Sequence, residues 1–368
     1  MSSPTDLLAR LVGFPSVMGS ANGAIMGFVQ EYLRGHGVAS TLIAGPEGDR
    51  WNLFATIGDA SRPGYVLSGH VDVVPAGELE WQADPFVLRQ DGDRLIGRGA
   101  CDMKGFVAAA LTMVPELLAM PLSAPIHIAL SYDEEVGCRG VPHLLAALPD
   151  LCAPPLGAII GEPSGLVPVL AHKGKAALRL VATGVPGHSS RPDLGANAIH
   201  ALLPALIAAA AQAVALQSGT QDARFAPPWS SLQIGTVAGG QAVNIIPDRA
   251  TAEIEARAIQ GVDPKAILDP VVAAAKGLAV DWLSSYPALA LEANHPLAQL
   301  MADLTGASPL GAVSFGTEAG LYQQAGIPAI ICGPGDIARA HRPEEYLTKG
   351  ELQDACSMIR RLGQALCR

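Results

Sequence analysis

The sequence predicts an α/β protein with a smaller βαββαβ module set into it, and three observations carry the prediction. Short apolar runs alternate with helical periodicity through the first half of the chain. Four apolar runs, three of them there and one at Ala329 to Cys332, lead towards His, Asp or Glu. From about Lys173 the texture changes to strand, helix, strand, strand, helix, strand, the split-βαβ order of a self-sufficient module. A length of 368 residues suits two domains. Residues 1–172 and 286–368 are expected to form the α/β body, and residues 173–285 the ferredoxin-like insert.

The elements follow in order. Between Leu7 and Tyr32 a helical pattern is interrupted around Gly13 to Gly19, which predicts two helices joined by a loop. Asn52 to Ile57 and Tyr65 to Ser68 read as strands, the second running into Gly69-His70. Lys104 to Ala119 is an apolar helix, and Ile126 to Ser131 a strand ending in Tyr132-Asp133-Glu134-Glu135. Gly157 to Ile160 ends in Gly161-Glu162-Pro163, and Ala329 to Cys332 leads toward His341. Open α/β sheets bind ligands beyond the carboxyl ends of their strands, so these acids and histidines are expected to converge. In the insert, strands are expected at Ala176 to Ala182, Ser231 to Val237, Ala252 to Ala258 and Ala279 to Ser284, with helices at Asn197 to Ala215 and Pro264 to Gly277.

Composition excludes several classes. With 24 Lys+Arg against 34 Asp+Glu the net charge is −10, which disfavours a nucleic-acid partner. The apolar stretch Ala201 to Leu216 falls short of the ~20 residues of a membrane-crossing helix and contains Pro204 and Gln212, so it reads as a buried helix. Asp6 and Arg10 break up the N-terminus, and the cytoplasm is the expected location. Six cysteines make no CxxC pair and are expected as reduced, mostly buried thiols.

The candidate chemistry lies in a set of N and O donors. In His70-Val71-Asp72 one intervening residue in extended chain puts both side chains on the same side, so Asp72 could orient His70 by taking its second N–H. Asp102 precedes a helix, where a lone Asp is usually an N-cap. Adjacent Glu134 and Glu135 after an apolar strand are costly without a compensating cation. With Glu162 and His341 they complete a set of His70, Asp102, Glu135, Glu162 and His341, with Glu134 beside it. Imidazole and carboxylate suit zinc, with cobalt or manganese as alternatives. Two divalent ions bring +4 against −3 from the three acids and −1 from a bridging hydroxide. Five residues supply three contacts to each ion only if one is shared, and Asp102 is the candidate bridge.

Several segments in order resemble the co-catalytic zinc peptidases and deacylases of the M20 family. They are Ser68-Gly69-His70-Val71-Asp72-Val73-Val74, Gly97-Arg98-Gly99 through Asp102-Met103-Lys104-Gly105, Asp133-Glu134-Glu135-Val136-Gly137, Gly161-Glu162-Pro163 and Gly316-Thr317-Glu318-Ala319. Ser131 to Cys138, Ala171-His172-Lys173-Gly174, Cys332-Gly333-Pro334-Gly335 and Ala340-His341-Arg342-Pro343 look most like its acetylornithine deacetylase branch. The resemblance implies that one zinc takes His70 and Glu162, the other Glu135 and His341, that Asp102 bridges, and that Glu134 is the general base. It implies that the insert is a lid and dimerisation domain. There His188, in Gly187-His188-Ser189-Ser190, reaches the partner subunit's site and stabilises an oxyanion. Asn244 and Arg257 look like the positions that hold the substrate's α-carboxylate, with Gly316 and Thr317 lining the same pocket. A homodimer through the Ala-rich helix, roughly Asn197 to Ala215, follows from its apolar faces and the role of His188.

The chain departs from the family pattern at Cys101, next to the bridging Asp102, where a small residue or hydroxyl is usual. The stretch Gly13 to Gly19 is looser than the family's, and Asp193 adds a lid carboxylate. A serine hydrolase is disfavoured because Gly161-Glu162-Pro163-Ser164-Gly165 has its serine one place late. Gly97 to Asp102 ends in an acid where a dinucleotide site needs glycine. The expectation is a di-zinc amidohydrolase of small N-acyl amino acids, with N-acetylornithine leading, another N-acyl-amino-acid hydrolase or a dipeptidase second, and a non-catalytic scaffold as the alternative from another class. An ornithine side-chain amine further predicts an acid in the pocket.

Overall fold

The computed structural model describes residues 3–77 and 79–367, and the chain divides into two compact units. The first comprises Met1–Ala171, Leu291–Gly311 and Thr317–Arg368; the second comprises His172–Ala290 and Ala312–Gly316. The insert thus runs five residues beyond the expected 285, and the chain returns to it once more just before Thr317.

The first unit is built on a six-stranded sheet. Its order from edge to edge is Ser40–Ala44, Trp51–Ile57, Ile126–Ser131, Tyr65–His70, Gly157–Pro163 and Ala329–Gly333. The first two pairings are antiparallel and the remaining three parallel. Ile126–Ser131, Tyr65–His70 and Gly157–Pro163 are buried almost throughout, as parallel strands covered on both faces must be. Their apolar runs therefore signal core, and the polar residues that end them all emerge at one edge of the sheet.

Helices cover these strands. Pro4–Val12 begins with a capping box between Ser3 and Asp6, and Lys349–Ala365 with one between Thr348 and Glu351, so each sequence marks its own start. Gly105–Leu118 packs against both and buries most of its length. Pro296–Thr305 stops at Gly306, whose φ of 72° suits the helix end. Several elements had no counterpart in the expected pattern, among them the edge strand Ser40–Ala44, the helices Val141–Leu151, Pro296–Thr305, Ala319–Gln324 and Lys349–Ala365, and a small sheet of Arg89–Asp91, Arg94–Ile96 and Tyr346–Thr348.

In the second unit four antiparallel strands lie in the order Ser231–Gly239, Arg249–Ala258, Gly174–Thr183, Ala279–Tyr286. Relative to chain order this is 2-3-1-4, the ferredoxin-like arrangement. Gly174–Thr183 and Arg249–Ala258 alternate buried with more exposed residues, placing Leu178, Leu180, Ala252 and Ile254 against the helices Ala198–Ala215 and Pro264–Ala274. The longer helix corrects one expectation. It buries Ala198, Leu202, Ala205 and Ala209 but leaves Leu203, Ile207 and Val214 exposed, so it is a half-buried helix with an apolar outer face. Among the described residues, Ala198–Ser218 is the one helix long and apolar enough to cross a membrane by length and composition, with 17% of that window buried in the fold. All six cysteines are free thiols, and Cys101, Cys138, Cys332 and Cys356 are buried.

Gly161 shows how closely the sheet and its cover approach each other. A Cβ built there would lie 2.0 Å from the Phe106 ring. Gly161→Ala is therefore expected to lower unfolding free energy by about 1–3 kcal/mol, the usual range for overpacking, read as a fall in the denaturant midpoint. An unchanged midpoint would contradict that approach.

Candidate metal centre

The candidate ligands lie at or beyond the carboxyl ends of buried strands of the first unit, except Asp102, which lies in the turn before a helix. His70 closes the strand Tyr65–His70 and is 1% exposed. Its Nδ1 lies 2.9 Å from the backbone carbonyl of Asp72, and because a carbonyl only accepts, Nδ1 carries the proton and Nε2 presents a lone pair. That Nε2 stands 3.1 Å from Asp102 Oδ1 and 3.8 Å from Glu162 Oε1. On the other side, His341 Nε2 is 3.4 Å from Asp102 Oδ2 and 3.0 Å from Glu135 Oε2. The Asp102 carboxylate therefore shows one oxygen to each imidazole.

These atoms form two groups of three, His70-Asp102-Glu162 and Asp102-Glu135-His341, within which the ligand atoms lie inside 4.8 Å of one another. Metal–ligand bonds of about 2.1 Å in a tetrahedral shell put neighbouring donors about 3.4 Å apart. The four separations above fall around that figure. A neutral imidazole lone pair facing carboxylate oxygens is repulsive unless a cation or a proton intervenes, and buried acids outnumber the imidazoles here. The residues present fit a pair of divalent cations.

Without cations the titration of the cluster is strongly displaced. Burial pushes Glu134 up to about 8 and Glu135 up to about 7, and it raises Glu162 well above the carboxylate range. Burial opposes the charged form of His70, but Asp102 and Asp72 hold it well above its ordinary value. Hydrogen bonds to Asp102 and Glu135 raise His341 to about 10. Asp102 moves the other way: burial raises it, yet hydrogen bonds from His341 and His70 hold it well below the usual carboxylate range.

Asp72 stands beside His70 as its spacing suggested, with Oδ1 3.5 Å from Nδ1, and it does a second job as well. Its carboxylate accepts the backbone N–H of Glu134 through Oδ1 and that of Glu135 through Oδ2, each at 3.1 Å, while its own carbonyl takes the His70 proton. One residue thus fixes the imidazole tautomer and the turn that carries both glutamates. The Glu134 carboxylate accepts the Cys138 thiol at 3.3 Å. Asp102 is no helix cap. It lies in an irregular turn, Ala100–Lys104, with φ −120° and ψ 95°, before the helix Gly105–Leu118 begins.

A buried brace behind Asp102 went unseen in the sequence. Glu345 Oε1 accepts the backbone N–H groups of Cys101 and Asp102 at 2.9 and 3.1 Å, and its Oε2 takes Arg98 Nη1 at 2.9 Å. Both charged side chains are 1% exposed. Glu345 lies 243 residues from Asp102, and no local spacing signals the pairing. The Cys101 thiol is likewise buried, and burial together with Glu345 and Asp102 pushes it up, away from reactivity.

The remaining candidates lie mostly in the second unit. His188 sits on the short strand Gly187–His188, exposed; the Ser190 backbone N–H donates to its Nδ1 at 3.2 Å, which leaves an N–H on Nε2. Asn244 is exposed in the turn before Ile245–Ile246, and its carbonyl accepts the Ser189 N–H at 3.1 Å. Arg257 is half-buried on Arg249–Ala258, paired through Nε with Glu255 at 2.7 Å and through Nη1 with the Tyr286 hydroxyl at 3.4 Å. Gly316 abuts Tyr286, while Thr317 belongs to the first unit, is fully buried, and gives its hydroxyl oxygen to the Ala319 N–H at 3.0 Å.

A family model described as peptidase family M20/M25/M40 matches residues 66–365, a span that contains every ligand of the cluster, and the chain belongs to that family of hydrolases. Among its relatives, acetylornithine deacetylase of Yersinia pseudotuberculosis is 32% identical over 335 residues, 87% of this chain and 84% of the relative. Among solved structures, an M20 family metallo-carboxypeptidase from Sulfolobus solfataricus superposes with a TM-score of 0.82 at 18% identity, covering 99% of both chains. A dinuclear metal-binding peptidase of the M20 family from Bacillus subtilis does so with a TM-score of 0.65 at 16% identity, covering 99% of this chain and 97% of the other.

The displaced titrations have a sign that can be measured. Glutamates whose folded values lie near 7 to 8, against an ordinary 4.5, take up protons on folding, so their contribution to stability is lost as pH rises through that window. The raised histidines act in the same direction: their contribution is full below about 6.5 and lost as pH rises through the folded value. Chelated protein is expected to be less stable at pH 8.5 than at pH 5.5 by denaturant unfolding, and stoichiometric zinc to remove most of that slope. A chelated protein that gained stability over this range would contradict the assignment.

Proposed function

We propose that the chain is a di-zinc deacylase of small N-acyl amino acids, with N-acetylornithine as its substrate and ornithine and acetate as products. The observation that carries the reading is Asp102 divided between two His–Glu pairs with Glu134 beside them. The acetylornithine deacetylase relatives favour the substrate. In this reading His70 and Glu162 hold one ion, Glu135 and His341 the other, and Asp102 both; cobalt or manganese would suit the same donors. Two such ions would polarise the scissile carbonyl and lower the pKa of the attacking water.

The chain's own groups do the rest. Glu134 takes the proton of the attacking water on its carboxylate and passes it to the amide nitrogen as the C–N bond breaks. Its buried setting, which disfavours the carboxylate anion, makes it a stronger base for that transfer. Asp72 keeps Glu134 in place through its backbone and keeps His70 in the tautomer that offers Nε2. His188, with Nε2–H outward, would donate to the oxygen on which negative charge develops. Asn244 and Arg257 would hold the substrate's α-carboxylate, Arg257 already oriented by Glu255 and Tyr286. Gly316 and Thr317 would shape that end of the pocket.

We also assign a homodimer formed through the lid, in which His188 serves the partner's site. The exposed Leu203, Ile207 and Val214 of Ala198–Ala215 support it, because an apolar helix face of that kind favours a covering surface. The free thiols support a reducing, cytoplasmic setting.

A panel of N-acetyl amino acids and dipeptides, run with and without chelator, tests the reading. N-acetylornithine should be hydrolysed fastest and chelator should abolish turnover. Glu134→Gln should lower kcat by about 10²–10⁴-fold with both zinc ions retained. Chelator-insensitive hydrolysis, or an active Glu134→Gln enzyme, would refute the mechanism; preference for another acyl amino acid or a dipeptide would refute the substrate alone.

A further inference from the structure

Gly316-Thr317-Glu318-Ala319 contributes a carboxylate that the catalytic reading leaves without a task. Glu318 is 1% exposed, among the most deeply buried acids of the described residues. The Ser68 hydroxyl donates to its Oε1, and the Ser131 hydroxyl donates to its Oε2 at 2.7 Å. Tyr322 in turn lies 2.8 Å from Ser68 Oγ, and since Ser68 has given its proton to Glu318, Tyr322 is the donor.

The two serines occupy particular places. Ser68 stands two residues before His70 on Tyr65–His70, so the pleat puts both side chains on one face. Ser131 is the register partner of His70 on the neighbouring parallel strand and stands three residues before Glu134. One carboxylate therefore ties together the ends of the two strands that deliver His70 and the Glu134-Glu135 turn. Burying a charge merely to satisfy two hydroxyls is costly when a neutral side chain or an apolar contact would serve. Burial raises the Glu318 carboxyl, against the Ser68 and Ser131 hydroxyls, which act to lower it.

We propose that Glu318 is a positioning residue of the metal centre: through Ser68 and Ser131 it locks the spacing between His70 and the Glu134-Glu135 turn. This rests on the reading of His70, Asp102 and Glu162 as metal ligands.

The test is competitive zinc titration of the full chain against a chromophoric chelator, for the wild type and for Glu318→Gln, Ser131→Ala and Tyr322→Phe. Glu318→Gln is expected to weaken one of two zinc sites about tenfold, in the range seen when groups behind a ligand are removed. Ser131→Ala should shift the same site less, and it carries the test if Glu318→Gln does not fold. Tyr322→Phe loses a hydroxyl from the same cluster but keeps both serine–glutamate bonds, so it should bind zinc as the wild type does even if its unfolding midpoint falls. Wild-type zinc binding in Glu318→Gln, or in Ser131→Ala where that variant carries the test, would overturn the proposal. So would an equal loss in Tyr322→Phe, which would mark a general packing effect. A wild type that binds no zinc would overturn the metal reading itself.

Discussion

The opposition of two imidazoles across the Asp102 carboxylate is the interaction on which the rest of the first unit depends. Each Asp102 oxygen lies within 3.1 to 3.4 Å of a histidine Nε2, and the same Nε2 of each histidine also faces a glutamate. Left to themselves, these acids crowd negative charge where water cannot screen it, and burial together with the neighbouring acids raises Glu134 and Glu162. Two divalent cations convert the same arrangement into a nearly neutral one. A fold that builds such a cluster at the ends of its most buried strands has placed an electrostatic cost there that protons or bound cations offset.

Holding Asp102 between the histidines requires the layers behind it. The Arg98–Glu345 pair grips the backbone amides of Cys101 and Asp102, and the Asp72 carboxylate grips those of Glu134 and Glu135. Both braces use buried carboxylates with two backbone N–H groups each, a bond type that orients a ligand without entering its coordination. Removing one partner of a buried pair such as Arg98–Glu345 leaves an uncompensated charge, at a cost of about 3–5 kcal/mol. Position and stability are thus linked in this site.

Much of this was legible along the chain because parallel strands are apolar throughout and end abruptly in polar residues. Tyr65–His70, Ile126–Ser131, Gly157–Pro163 and Ala329–Gly333 follow that rule, and the residues that end or follow them were the ones to watch. The capping boxes Ser3/Asp6 and Thr348/Glu351 are local signals too, although the second helix they open was not expected. What escaped was encoded by distance. Glu345 meets Asp102 across 243 residues, and Glu318 meets Ser68 across 250, so neither spacing nor periodicity announces them. The Asp72 case differs: the His-x-Asp spacing was informative, and what it left out is that the Asp72 carbonyl at 2.9 Å stands nearer the imidazole Nδ1 than the carboxylate at 3.5 Å. The helix Ala198–Ala215 read as buried because its composition is uniformly apolar, and composition alone does not separate a core face from one left open.

The most direct measurement of the central claim is a crystal structure of zinc-loaded protein with anomalous data collected on both sides of the zinc absorption edge. Two anomalous peaks should appear, one among His70, Asp102 and Glu162 and the other among Asp102, Glu135 and His341. A single peak elsewhere on the chain, or an Asp102 carboxylate turned away from both histidines, would contradict the account.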